Sequence, residues 1–64
     1  MNYKENDLVK YKWVYSNEED YVGVIIKIEK DLNFGSILHI LGADNSIEAV
    51  PQRMLKIERL GNEH

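Results

Sequence analysis

The sequence predicts a small all-β domain, a five-stranded closed barrel with one 3₁₀ turn before the last strand, and three observations predict it. The stretch 21–30, Tyr-Val-Gly-Val-Ile-Ile-Lys-Ile-Glu-Lys, is the longest run of residues that favour extended backbone. Four shorter apolar runs are set apart by turn-forming residues. The single proline, Pro51, opens a segment with room for only one helical turn.

Residues 8–15 form the first strand, with Val9, Tyr11, Trp13 and Tyr15 on one face and Lys10 and Lys12 on the other. The polar, acidic stretch 16–20 folds it back antiparallel onto 21–30. In that central strand Val22, Val24, Ile26 and Ile28 are expected to face inward, and Tyr21, Gly23, Ile25, Lys27 and Glu29 outward. Gly23 marks a bend where a missing side chain relieves crowding. The loop 31–35 tucks Leu32 or Phe34 over an open edge of the core, and a strand over 36–41 follows. Residues 42–45 supply Gly and Asn for left-handed backbone before a short strand over 46–50. Residues 51–54 make the helical turn, and 55–60 the last strand. Closure is expected because Ile, Leu and Val occupy both strand faces, and open edges would invite aggregation. The expected core is Val9, Val24, Ile26, Ile28, Leu38, Ile40, Val50, Leu55 and Ile57.

Asn-Asp-Leu-Val-Lys-Tyr, then Gly-Val-Ile-Ile-Lys-Ile, then Ile-Glu-Ala-Val-Pro-Gln-Arg-Met-Leu-Lys-Ile together resemble the SH3-like barrels of the Tudor and KOW group over about residues 7–60. The chain most resembles the short, free-standing SH3-like proteins of tailed bacteriophages, in which a similar Val-Pro and Arg-Xaa-Leu segment closes the barrel. The resemblance implies an SH3-like fold and a phage-encoded accessory protein acting in the host cell cytoplasm or the virion. It implies no single function, since this fold carries peptide binders, nucleic-acid binders and structural pieces. The acidic-loop and Trp-Trp pattern of proline-peptide binders is missing, for Trp13 is the one tryptophan.

At 64 residues the chain is one domain near the lower size limit, where only about 60% of the unfolded surface is buried on folding. Residues 1–6 are expected to fray, 7–60 to form the barrel and 61–64 to trail as a tail. With no cysteine, disulfides, iron–sulfur clusters and thiolate zinc sites are excluded, which points to a reducing cytoplasm. No apolar run has the length of a membrane span, the first residues lack the apolar centre of a signal peptide, and no membrane association is expected. A formal net charge of −3 gives no overall pull toward nucleic acid.

No nucleophile with its base, separated carboxylate pair or metal-binding spacing is assembled, so no enzyme activity, catalytic residue, metal or cofactor is expected. His39 reads as an ordinary strand histidine, and the sequence 18–20 lacks the spacing of a calcium loop. A protein partner is the leading expectation. Val9, Tyr11, Trp13 and Tyr15 cannot all fill so narrow a barrel, so Trp13 and Tyr15, with Tyr21 returning beside them, are expected to form a partner-binding mouth rimmed by Glu18, Glu19 and Asp20. Nucleic acid is the alternative, on an outer stripe of Lys10, Lys12 and Lys27. A structural, weakly self-associating role, with Ile25, Ile37 and Leu41 crowding an outer face, is the third.

Overall fold

The computed structural model describes residues 3–60. Five strands, β1 (Leu8–Trp13), β2 (Tyr21–Asp31), β3 (Gly35–Gly42), β4 (Ile47–Pro51) and β5 (Leu55–Arg59), form one antiparallel sheet in the order β4-β3-β2-β1-β5. A 3₁₀ turn, Gln52–Met54, joins β4 to β5. Each strand sends at least one side chain into a single core of Val9, Tyr11, Ile25, Leu38, Ile40, Val50 and Leu55, so the sheet wraps around its contents. Tyr3, Ile28, Met54 and Ile57 pack against that core.

The expected closure is not completed by hydrogen bonds. Among the described residues no ladder joins β4 to β5, which stand at the two edges of the sheet. The local chemistry explains why. Pro51 has no amide proton to give, and the first amide of β5, Leu55 N–H, bonds back to the Gln52 carbonyl. Tyr3 packs beside β5 and donates its hydroxyl to the Ile57 carbonyl at 3.0 Å.

The faces of β2 also differ from expectation. Gly23 and Ile25 point inward and are buried, whereas Val24 is half-buried on the outer face and Ile26 is 39% exposed. A bulge between Ile25 and Lys27 breaks the period of two. Beyond it Ile28 returns to the core side, in register with Leu38. A strict alternation through Ile26 therefore holds only after the extra residue. The crowding expected at Gly23 is present, since a Cβ there would stand 2.6 Å from Ile40 Cγ2 and 2.7 Å from the Leu41 carbonyl oxygen.

The connections follow their turn chemistry. Asp31 Oδ1 accepts the Asn33 and Phe34 amides at 2.7 and 3.0 Å, and Gly35 takes φ +76° to re-enter the sheet. Leu32 points fully into solvent and does not cover the core, while Phe34 is half-exposed at a groove rim. Asn45 supplies left-handed backbone between β3 and β4, with φ 67°. Within 1–6, expected to fray, the described part is tethered: Asn6 N–H bonds the Ile25 carbonyl at 2.7 Å and Tyr3 reaches Ile57. Residues 1–2 and the expected tail 61–64 lie outside the described residues.

Candidate functional site

Register decides which aromatic rings meet. β1 and β2 pair with Tyr11 opposite Tyr21 and Val9 opposite Gly23. The two tyrosine rings meet in a tilted contact, 5.8 Å between centroids with planes 36° apart. Trp13 lies beyond the last β1–β2 pair, opposite Leu55 of β5, and is 38% exposed. Tyr15 falls in the β1–β2 connection and is 81% exposed. Of the three rings expected at one mouth, only Tyr21 sits at the groove described next, and its ring partner is Tyr11.

That groove, of about 510 Å³, opens at the end of the sheet where β2 begins and β3 ends. Tyr11 and Tyr21 form one wall, Asp20, Asp44 and Glu48 supply charge, and no basic residue lines it. Tyr11 is nearly inaccessible and donates its hydroxyl to Glu48 Oε1 at 3.3 Å. Tyr21 donates to Glu18 Oε1 at the same distance. Asp44 Oδ1 accepts both the Ser46 amide (3.0 Å) and the Ser46 hydroxyl (2.6 Å), which fixes its direction. Gly42 leaves room for it, since a Cβ there would lie 3.2 Å from Asp44 Oδ1.

The titration behaviour reflects this field. Burial first, and then the Glu48 carboxylate, push the Tyr11 phenol up to about 12. The Glu18 charge and its hydrogen bond raise Tyr21 above the usual phenol value. The Ser46 hydroxyl and amide hold Asp44 below the usual carboxylate range, so it is ionised at neutral pH. The groove thus presents fixed negative charge beside aromatic faces, an arrangement that favours a cation.

The expected acidic rim is divided. Glu18 turns to Tyr21, Asp20 lines the groove and meets Lys10 Nζ at 3.8 Å, and Glu19 is exposed. Asp44 and Glu48 were not among the residues singled out from the sequence, and Tyr11 was read as an inward strand residue and not as part of a site. Glu48 did carry a signal, because a period of two counted back from the core residue Val50 places an acid on the inner face.

Of the three lysines expected in one stripe, Lys10 and Lys12 line one groove together with Lys56, Asp20 and Glu58, and Lys27 does not join them. Lys10 pairs with Asp20 and Glu58, each at 3.8 Å, and Lys12 stands opposite Lys56 on β5. Lys27 lies past the bulge, opposite His39 of β3. His39 Nε2 is 2.9 Å from Glu29 Oε1 across that same pair of strands. Among the described residues no group of three His, Cys, Asp or Glu is placed to hold a metal, and no helix is long and apolar enough to cross a membrane.

Ile25, expected on a crowded outer face, is instead fully buried. Leu41, expected there as well, does stand on that face, in an apolar row with Leu8, Val24 and Ile47 that runs in register across β1, β2, β3 and β4, with Leu8 43% and Ile47 59% exposed. Neither protein-family models, nor curated proteins, nor solved structures contain a match to this chain.

Proposed function

We propose that this protein is a non-enzymatic binding module of SH3-like build that holds a basic segment of a protein partner in the Tyr11–Tyr21 groove. The strand order and the 3₁₀ turn before the last strand support the SH3-like reading. The observation that carries the function is the meeting of two tyrosine rings, in contact with each other, with Asp20, Asp44 and Glu48 in a groove without a basic lining residue. A Lys or Arg side chain entering it gains aromatic contact and carboxylate attraction together, and the surrounding charge steers its approach. On the sequence resemblance alone, the partner is a phage or host protein.

Titration of a fluorescent Lys- and Arg-containing peptide at low salt tests this. Tyr21→Ala removes a half-exposed ring and is expected to weaken binding about tenfold. Glu48→Gln is expected to weaken it less and to flatten its salt dependence. Equal affinity for a peptide with its basic residues replaced by Gln ends the proposal.

A weakly self-associating role is the second reading, favoured by the Leu8–Val24–Leu41–Ile47 row. Sedimentation of Ile47→Lys against the unaltered chain separates the two, because that substitution lies outside the groove lining.

A further inference from the structure

The hydrogen-bond phase between β1 and β5 determines which backbone groups of β5 face outward. Leu60 N–H bonds the Leu8 carbonyl at 2.8 Å, and Val14 N–H bonds the Met54 carbonyl at 2.9 Å. Bonded and non-bonded pairs alternate in an antiparallel ladder, so between these points Lys10 with Glu58 and Lys12 with Lys56 exchange bonds. Leu55 and Ile57 therefore turn their backbone groups away from β1. The Leu55 amide is taken by Gln52, and the Ile57 carbonyl by Tyr3. Among the described residues nothing accepts the Ile57 amide.

Along this edge runs a second groove, of about 570 Å³, at the far end of β2 from the first. Its floor is Leu55 and Ile57, its aromatic sides are Tyr3 and Phe34, and Ser36 and Arg53 are among its polar lining. The Arg53 guanidinium lies 5.7 Å from the centroid of the Phe34 ring. No carboxylate lines the groove, and none among the described residues pairs with Arg53. A second cation stands at the rim, where Lys30 Nζ donates to Ser36 Oγ at 3.0 Å.

We propose that the outer edge of β5 takes an extended, acidic segment of a partner protein as an added strand. A carbonyl of that segment accepts the Ile57 amide, an apolar side chain covers Leu55 and Ile57, and a carboxylate pairs with Arg53. Strand addition draws its affinity from main-chain bonds and its selectivity from alternate side chains, and this edge offers the Ile57 amide for the first and Leu55, Ile57 and Arg53 for the second. The charge complementarity selects the occupant. A nucleic-acid strand needs a longer track of cations than Arg53 and Lys30 supply. A second copy would bring β4 or β5 as its edge, and the one carboxylate of each, Glu48 and Glu58, is already held by Tyr11 and by Lys10.

The probe is a fluorescent five-residue peptide of alternating Val and Glu, capped at both ends and titrated at low salt onto the full chain. Arg53 and Phe34 are exposed, so Arg53→Glu and Phe34→Ser leave the core intact. Arg53→Glu is expected to weaken binding about tenfold or more, in line with loss of a hydrogen bond to a charged group. Phe34→Ser is expected to weaken it severalfold, Tyr21→Ala to leave it unchanged, and hydrogen exchange of the Ile57 amide to slow when peptide is bound. Absence of binding at millimolar peptide, or affinity indifferent to Arg53→Glu, overturns the proposal. So does Arg53-dependent binding that leaves Ile57 exchange unaltered. Tighter Arg53-dependent binding of an oligothymidylate would assign the groove to nucleic acid, and a dimer dissolved by Arg53→Glu would assign it to a second copy.

Discussion

The two halves of β2, before and after the bulge at Ile26, differ in composition, uncharged Tyr-Val-Gly-Val-Ile against charged Lys-Ile-Glu-Lys-Asp, and also in surroundings. The first half runs between β1 and β3, and its inward residues Gly23 and Ile25 are buried. The second half pairs with β3 alone, and its inward Ile28 is only half-buried. Burial of a strand residue thus depends on neighbours along both edges more than on its own hydrophobicity. The same difference sets the character of the two grooves. At the Tyr21 end, paired strands hold Tyr11 and Tyr21 in contact beside fixed carboxylates. At the Asp31 end, a turn, a 3₁₀ segment and an open strand edge surround a cationic groove.

The sharpest test of this contrast is Ile25→Ala. A fully buried side chain in so small a core is expected to cost about 2–5 kcal/mol on truncation, read as a lowered urea midpoint. Ile28→Ala should cost less. Equal losses would mean that the two halves are packed alike.

Raising the pH tests the strand-bounded end next. The fold favours the neutral Tyr11 phenol, whose titration moves from 10.0 to about 12. Its contribution is complete below pH 10 and disappears as the pH rises through about 12, a change on the order of 2 kcal/mol for one buried phenol. Alkaline denaturation followed by tyrosinate absorbance should show this late-titrating ring. Glu48→Gln should bring its midpoint back toward the ordinary value.

Gly23→Ala probes the close approach of β2 to β3 and is expected to destabilise by about 1–3 kcal/mol, because the added methyl meets backbone at the Leu41 carbonyl as well as a side chain. A thermal midpoint equal to that of the unaltered chain would show that β3 can withdraw freely. The smallest effect belongs to Ile26→Ala at the bulge itself, expected below about 1 kcal/mol because the side chain is substantially exposed. A loss as large as that of Ile25→Ala would return Ile26 to the core and remove the bulge from the account.

Strand number, most strand limits and the single 3₁₀ turn are legible along the chain because they rest on local chemistry. Extended-backbone formers fill 21–30, Asp31 and Gly35 close a turn, and Pro51 ends a ladder wherever it stands. Gly23 also announced its crowded position correctly. The side chains that line each groove were not legible in the same way. One extra residue at Ile26 reverses the faces of β2, and no propensity marks where a bulge falls. Tyr11 joins Tyr21, and Trp13 does not, because the hairpin register sets which residues stand opposite. Glu48 and Asp44 reach those rings from β4 and the turn before it, more than twenty residues away along the chain. Such meetings depend on how the sheet curls around Val9, Ile25, Leu38 and Ile40, a property of the packed whole.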